Sequence, residues 1–286
     1  MARFSGFRKD EGARGFSHTD KKLVMKGASW LESQSAVVLF EDFLVDVLAD
    51  TPLVTATQSG TPLTAAAITG TGGGTYSNGH GGWVGGKTDD VDAEIDELAF
   101  GGLGTGAGTP IFAAQRAGNG MMVMEMGFVI PTALTARQYF IGWTDDPTEG
   151  TGTNGSLNIS GSLTQVSPAT DAAGFIFSSL ATNPTFYKAG AVLNDVDATV
   201  LDPATVAGIV DAYTTARVEV DSVGNAYFYL SVSSGTTAGP VPVSPFGSIA
   251  TAVTPTVNLI PMFTAAPTTT TGVEWEVDYC FAACQR

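Results

Sequence analysis

The sequence predicts an all-β fold, an antiparallel sandwich or barrel, on three observations. Many short segments are rich in strand-forming residues, and turns containing Gly or Pro separate them. No segment longer than ten residues keeps the 3.6-residue period of an amphipathic helix together with good caps. Hydrophobic residues make up 44% of the 286 positions, so one large domain can bury a sizeable core.

The chain divides into an arm and a domain. Residues 1–35 have alternating charge and no sustained period, which predicts an extended N-terminal arm. Strand-forming residues begin at Ala36 and continue to position 46, so we expect one β-sandwich domain over 36–286. The stretch 51–86 is rich in Thr, Gly and Ala, and we predict a covering loop there with one or two short strands.

The first well-marked strand is predicted at 120–130. One of its faces carries five apolar residues at the strand period of two: Met122, Met124, Met126, Phe128 and Ile130. The other face carries Val123, Glu125 and Val129. Because this second face is also largely apolar, we expect the strand to be covered on both sides.

Shorter strands follow, separated by turns. They are predicted at 139–143, 157–166, 174–179, 185–189, 256–264 and 272–283. The clearest hairpin covers 216–232, with its turn at 222–225 and with Ala226, Phe228, Leu230 and Val232 directed inward on the return. Tyr227 and Tyr229 then face outward, and we expect them to form a contact surface.

Charge is distributed very unevenly along the chain. Residues 27–286 carry six basic residues against 25 acidic ones. The first 26 positions carry three acidic residues and seven basic ones: Arg3, Arg8, Lys9, Arg14, Lys21, Lys22 and Lys26. A basic segment attached to an acidic body gains Coulomb energy on an acidic surface, so we interpret these seven residues as an assembly arm.

The composition argues against several classes of function. The net charge of −15 would repel a phosphate backbone, and the cations of the arm are too mixed with acids to predict nucleic-acid binding. The first 25 residues lack the apolar run of a secretory signal. The stretches 51–86 and 222–273 are uncharged but broken by Gly, Pro and Thr, so no membrane span is predicted. Such neutral surfaces are typical of a protein packed against neighbours.

The densest acidic run lies at 88–97. Asp90, Asp92, Glu94 and Asp96 would line one face of a strand. Three interpretations stay open: a solvated face, a docking surface for the basic arm of a neighbouring copy, and a calcium site. The spacing lacks the Gly of a calcium loop, and we predict no metal and no cofactor.

Two acidic patterns resemble the alternating carboxylates of a retaining glycosidase. In 94–97, Glu97 comes one residue early and would point to the opposite face. In 274–278 the parity is correct, but we expect that segment to be a structural edge strand. We therefore predict a protein that is not an enzyme.

The Cys and His residues support no catalytic arrangement. Cys280 and Cys284 lie about 13 Å apart in an extended strand, beyond the ~7 Å limit for a disulfide, so free thiols are predicted. His18 lies in the arm and His80 in a Gly-rich loop, so neither is a buried base for a nucleophile.

Five motifs follow one another along the domain. They are Leu39-Phe40-Glu41-Asp42-Phe43, Met124-Glu125-Met126-Gly127-Phe128, Phe140-Ile141-Gly142-Trp143-Thr144-Asp145, the hairpin Arg217-Val218-Glu219-Val220-Asp221 with Gly224-Asn225-Ala226-Tyr227-Phe228-Tyr229-Leu230, and Glu274-Trp275-Glu276-Val277-Asp278-Tyr279. This order resembles that of concanavalin-like jelly-roll proteins that are virion structural components of tailed bacteriophages. The resemblance covers about residues 36–286 and implies two sheets with the first and last strands side by side.

The resemblance and the charge pattern together imply a non-enzymatic capsid decoration or cement protein. Its expected partners are the major capsid protein or other virion proteins and further copies of itself, as a dimer or trimer. Its expected location is the capsid surface, after assembly in the host cytoplasm. Two alternatives stay open: a carbohydrate-binding jelly-roll module of a phage tail or cell surface, and a shell protein whose arm binds the packaged genome.

Overall fold

The computed structural model describes the chain in segments: residues 36–41, 54–58, 61–62, 84–87, 96–100, 112–114, 121–130, 135–145, 158–159, 165–166, 169–197, 200–233, 242–269 and 272–285. Side chains are described for 98–100, 112–114, 121–130, 135–145, 169–196, 200–233, 242–269 and 272–284. The predicted assembly arm lies outside the described residues.

The described residues form eighteen strands. In chain order they are β1 (Ala36–Glu41), β2 (Val54–Gln58), β3 (Thr61–Pro62), β4 (Val84–Lys87), β5 (Asp96–Phe100), β6 (Phe112–Ala113), β7 (Met121–Val129), β8 (Arg137–Thr144), β9 (Asn158–Ile159), β10 (Gln165–Val166), β11 (Asp171–Ser178), β12 (Lys188–Leu193), β13 (Val196–Asp197), β14 (Tyr213–Asp221), β15 (Ala226–Val232), β16 (Ser244–Ile249), β17 (Asn258–Pro267) and β18 (Glu274–Gln285). Among the described residues, no helix has the length and apolar character needed to cross a membrane.

The strands form two large antiparallel sheets. Sheet A has the order β1-β18-β7-β14-β15-β16, and β4 also pairs with β18. Sheet B has the order β13-β12-β11-β8-β17-β5-β2-β3, and β6 also pairs with β17. The chain crosses repeatedly from one sheet to the other, as in a jelly roll. The predicted all-β antiparallel sandwich is therefore confirmed.

The first and last strands lie side by side, as predicted. Ala36 pairs with Gln285 and Glu41 pairs with Cys280. The expectation that 274–278 would lie on an edge strand was wrong. β18 pairs with β7 on one side, and β1 and β4 occupy its other side, so β18 is an internal strand of sheet A.

Large aromatic side chains fill the space between the sheets. The Phe263 ring of sheet B lies 5.8 Å from the ring of Phe128 and 5.5 Å from that of Trp275, both in sheet A. The indole of Trp143 in sheet B donates a hydrogen bond of 3.3 Å to the carbonyl of Val218 in sheet A. All five residues are buried. These contacts join the two sheets through close-packed, tilted rings.

Several strands are buried on both faces. β7 has the predicted inward row of Met and Phe, and Val123 and Glu125 on its other face are buried as well. The prediction of a strand covered on both sides is therefore confirmed. β8, β11 and β14 are buried along almost their whole length in the same way.

The hairpin predicted at 216–232 is present as β14 and β15. Ala226, Phe228 and Leu230 are buried in the core, and Val232 packs against it. Gly224 has φ of 88°, a conformation that L-residues rarely adopt, and its carbonyl accepts hydrogen bonds from the amides of Ala252 and Val253. The turn thereby also anchors the segment that leads into β17.

Other elements differ from the prediction in position. The strand predicted at 185–189 is β12, which begins at Lys188, because the preceding residues form a turn. The buried Lys188 ammonium donates hydrogen bonds to the carbonyls of Asn183 and Phe186 and holds that turn in place. The segment 157–166 contains two short strands, β9 and β10, which pair with each other. The stretch 51–86 contains β2, β3 and most of β4.

The sequence analysis missed β16. Its sequence is SPFGSI, and both Pro and Gly are unfavourable inside a strand. β16 is tolerated because it lies at the edge of sheet A. Pro245 has no backbone N–H, and on an edge strand the missing donor can face solvent, so no hydrogen bond to a neighbouring strand is lost.

We expect Phe263→Ala to lower the free energy of unfolding by about 3–5 kcal/mol, because it removes the ring that bridges Phe128 and Trp275. Urea unfolding followed by tryptophan fluorescence measures the change. The control is Leu180→Ala, since Leu180 is 50% exposed and its loss should change the value by no more than about 0.5 kcal/mol. Equal effects of the two substitutions would contradict the bridging role.

Candidate functional site

Polar side chains gather on the outward face of sheet A, the face directed away from sheet B. The strand period of two places Ala216, Val218 and Val220 of β14 in the core between the sheets. Arg217 and Glu219, which lie between them in sequence, consequently point outward. Glu125 of β7 points outward by the same rule, because Met124 and Met126 are in the core.

Three of these side chains, Glu125, Arg217 and Glu219, form what we call the buried ionic cluster. Arg217 pairs in register with Glu125 across β14 and β7. Its Nη1 lies 3.9 Å from Oε2 of Glu125, and its Nη2 is ion-paired with Oε1 of Glu219. The side chains of Arg217 and Glu125 are each 1% exposed. A charge buried this deeply is tolerated only with such partners.

Two tyrosines cross over β7 beside this cluster. The hydroxyl of Tyr279 donates a hydrogen bond of 2.6 Å to Glu125, and that of Tyr213 donates one of 2.5 Å to Asp278. Gly127 lies beneath both rings, and a methyl group there would overlap the Tyr213 hydroxyl. Burial raises the pKa of both phenols well above the ordinary value, and the neighbouring carboxylates raise it further.

An irregularity in β18 turns Tyr279 to this face, next to Asp278. The register of β18 against β7 shifts between Val277 and Tyr279, so one extra residue is inserted there. Trp275 and Val277 before the shift are in the core, whereas Tyr279 after it points outward. Glu274, Glu276 and Asp278 therefore keep the parity that the sequence predicted, and the alternation changes only after Asp278.

Tyr227 and Tyr229 of β15, which we call the tyrosine pair, complete the outward face. Both are half-buried, while Phe228 between them is in the core. The Arg217 guanidinium lies over the Tyr229 ring, 5.8 Å from its centroid. The Tyr227 hydroxyl donates to Asp221 at 3.4 Å. Partial burial raises the pKa of Tyr229, and the Glu219 carboxylate, which accepts its hydrogen bond, raises it further.

The strand alternation thus holds the tyrosine pair outward, as predicted, and cross-strand contacts fix its orientation. Arg217 is the register partner of Tyr229, and Glu219 is that of Tyr227. The arrangement offers aromatic surface and fixed oxygen acceptors for binding. The carboxylates of Glu125 and Glu219 are already engaged with Arg217, which is not the state of an acid/base pair.

Other predicted sites have different outcomes. Asp90, Asp92 and Glu94 lie outside the described residues, and Asp96 is described only as backbone of β5, so the acidic face stays a prediction. Cys280 and Cys284 are free and buried on the inward face of β18. Within the described residues, no three His, Cys, Asp or Glu side chains are grouped to hold a metal ion.

The tryptophans of the described chain are core residues. Trp143 and Trp275 are 0% and 1% exposed and lie between the sheets, so they are not available as a stacking surface. The seven cations of the predicted assembly arm, at positions 3–26, lie outside the described residues. The tyrosine pair is therefore the predicted contact surface whose geometry can be described.

The sequence analysis missed the buried ionic cluster. A signal was present, because Glu125, Arg217 and Glu219 are charged residues that alternate with apolar ones along their strands. Single charges in strands are usually solvated, and only the pairing of β7 with β14 shows that these three meet. The contacts of Tyr213 with Asp278 and of Tyr279 with Glu125 were missed for the same reason, because they also depend on which strands are neighbours.

No protein-family model matches the sequence, and neither does any curated protein. Solved structures match it by shape. Peanut lectin bound to a nine-residue peptide is similar at a TM-score of 0.51 and 12% identity, over 87% of this chain and 97% of that chain. The exoplasmic/lumenal domain of VIP36 in its Ca²⁺/Man-bound form is similar at a TM-score of 0.50 and 12% identity, over 87% and 89% of the two chains.

These similarities show that the domain has the concanavalin-like jelly-roll fold of the lectins. The fold implied by the sequence resemblance is therefore confirmed. Neither of these two structures is a virion protein by name, and the phage part of that resemblance stays a prediction. At these identities the comparison shows the fold alone.

We expect the stability of the protein to fall as the pH rises above about 10, the pKa of an unfolded tyrosine. The folded-state pKa values of Tyr213 and Tyr279 are higher, so their contribution is fully present below pH 10 and is lost above it. Each contributes about 1.4 kcal/mol per pH unit in that range. Urea unfolding between about pH 10.5 and 11.5 gives the free energy of unfolding as a function of pH. Its decrease per pH unit should be smaller in Tyr213→Phe than in the wild type by this amount. An unchanged slope would show that Tyr213 ionises in the folded state.

Proposed function

We propose that this protein is a non-enzymatic carbohydrate-binding jelly-roll protein, and that its ligand lies on the tyrosine pair of sheet A. The observation that carries the proposal is the position of Tyr229. The Arg217 guanidinium lies over its ring and fixes it, and part of the residue stays exposed to a ligand between β14 and the edge strand β16. Sugar rings carry an apolar C–H surface that packs on aromatic faces, and their hydroxyls bond to polar groups at the rim.

The rigidity of the tyrosine pair supports binding. The hydroxyl of Tyr227 makes a long hydrogen bond of 3.4 Å to Asp221, and the hydroxyl of Tyr229 interacts with Glu219, while Arg217 lies over the Tyr229 ring. Side chains held in one orientation lose less conformational entropy when a ligand binds. The two rings are about 7 Å apart along one strand, a spacing that suits one or two sugar rings.

The fold also supports the proposal at a coarse level. The similar structures include peanut lectin and VIP36 in a form named as bound to Ca²⁺ and Man. A shared fold does not carry a binding site with it, so the argument for the tyrosine pair rests on its own geometry. A non-enzymatic role is supported by the engagement of Glu125 and Glu219 with Arg217.

We expect Tyr229→Ala to weaken glycan binding about tenfold or more, because it removes the stacking surface and leaves the rest of sheet A in place. A glycan array with the full chain identifies ligands, and calorimetry then measures the affinity of the best one. The matched control is Val196→Ala, since Val196 is 65% exposed and lies on sheet B. No binding to any glycan by the wild-type chain would overturn the proposal. Equal affinity of Tyr229→Ala and Val196→Ala for the best glycan would show that the binding site is not at Tyr229.

A virion decoration or cement protein is the second candidate function. It is favoured by the segregation of seven basic residues into the first 26 positions of a chain with net charge −15. The edge of sheet A at β16 adds support, because its exposed residues Ser244, Pro245, Gly247 and Ser248 are uncharged. A neutral exposed edge of this kind suits packing against a virion partner or a sister copy.

The second candidate predicts assembly through the arm. We expect the wild-type chain to form a discrete oligomer that dissociates at high salt, and the charge reversal Lys21→Glu, Lys22→Glu and Lys26→Glu to abolish it. Light scattering at low and high salt gives the masses. The same mass for variant and wild type at both salts would rule out the arm as the cause of assembly. Glycan binding should not change in the variant.

A further inference from the structure

We propose that the tyrosine pair selects sugars that carry a free ammonium group, over their N-acetylated counterparts and over acidic sugars. This inference rests on the proposed function and names its ligand class. It is carried by the kind of polar atom on the outward face of sheet A and by the charge around it.

The polar atoms beside the tyrosine pair are hydrogen-bond acceptors. The Tyr227 hydroxyl uses its proton on Asp221, and the Tyr229 hydroxyl uses its proton on Glu219. Each phenol oxygen then has only lone pairs to offer a ligand. Asp221 accepts hydrogen bonds within its own turn and Glu219 is ion-paired, so these two carboxylates act on a ligand through their charge. A ligand group that donates several hydrogen bonds fits this lining, and an ammonium group is such a donor. A sugar carboxylate has no proton to give and fits poorly.

The charge around the tyrosine pair is negative. Its immediate neighbours on β14 are the carboxylates of Glu219 and Asp221, and Glu125 follows on β7. Adjacent strands are about 5 Å apart, so Glu219 and Asp221 lie within one Debye length of the rings, about 8 Å at physiological salt, and Glu125 lies two strands away at about 10 Å. Against them stands one cation, Arg217. The other five basic residues of 27–286 lie on none of the strands β7, β14, β15 and β16.

Arg217 is not available to an acidic ligand. Its side chain is 1% exposed, and it lies against the Tyr229 ring and between two glutamates. Its Nε and Nη1 have no hydrogen-bond partner among the described residues, but they are buried beneath the surface that a ligand would contact. Arg217 therefore offers no contact to an acidic ligand, and its charge offsets only one of the three acids, which leaves 1 − 3 = −2. The aromatic faces add to the preference, because a ligand cation is attracted to the face of a tyrosine ring.

The test compares three tetrasaccharides of the same length: one of glucosamine, one of N-acetylglucosamine and one of galacturonate. Calorimetry with the full chain at about 20 mM and about 300 mM salt measures each affinity. We expect the glucosamine tetramer to bind at least tenfold tighter than the N-acetylated one at low salt, and the ratio to fall at high salt. We expect no binding of the galacturonate tetramer.

Tetralysine and two variants separate the site from general attraction by the acidic body. We expect tetralysine to bind at least tenfold more weakly than the glucosamine tetramer. Tyr227→Ala and Tyr229→Ala should each weaken glucosamine binding about tenfold, whereas Val196→Ala should not.

Four outcomes would count against the proposal in distinguishable ways. Equal affinity for the glucosamine and N-acetylglucosamine tetramers would overturn the charge preference and leave the proposed function standing. Tightest binding of the galacturonate tetramer would do the same. Tetralysine binding as tight as that of the glucosamine tetramer, with no effect of the tyrosine substitutions, would assign the preference to the body charge. No binding of any sugar, on the array or in solution, would remove the proposed function as well.

Discussion

Burial of the Arg217 charge is the constraint on which sheet A depends. A guanidinium that is 1% exposed is stable only if carboxylates neutralise it, and the two carboxylates come from different positions in the sheet. Glu219 is on the same strand, and Glu125 is its register partner on β7. A slip of one residue between β7 and β14 would turn Glu125 into the core and leave the arginine short of a partner. The cluster therefore specifies the register of the central strands, and it also supports the ring of Tyr229.

The same face is built from unusually close packing around one glycine. Gly127 leaves room for the hydroxyl of Tyr213 and the ring of Tyr279 to cross β7, and both hydroxyls then reach carboxylates. The tyrosines fill the volume as apolar groups and satisfy the acids as hydrogen-bond donors. Polar groups inside the outward face thus satisfy one another through hydrogen bonds and ion pairs, whereas the packing between the sheets is mainly apolar and aromatic. Binding at the tyrosine pair would take place on the rim of these polar groups.

The sequence predicted the elements whose side chains alternate cleanly. The Met row of β7 and the β14–β15 hairpin were expected, because the period of two and the turn at Gly224 are local signals. The pairing of the first with the last strand was expected from the family resemblance and from no local signal. β16 was missed because Pro245 and Gly247 argue against a strand, and only its edge position permits one. The orientation of Tyr227 and Tyr229 was predictable from Phe228. Their support by Arg217 and Glu219 was not, since it depends on which strands become neighbours, and a single sequence does not contain that information.

The pairing of β1 with β18 has a mechanical consequence. Ala36 lies directly opposite Gln285, so the two ends of the domain meet at the same end of one antiparallel ladder. A force that pulls these ends apart acts across the strands, and it opens the ladder one residue pair after another. Hydrogen bonds loaded in sequence resist less force than bonds sheared together along a strand. If the segment before Ala36 is tethered and tension is applied from Gln285, β1 is therefore the first strand to peel away, and the sandwich behind it is not yet loaded.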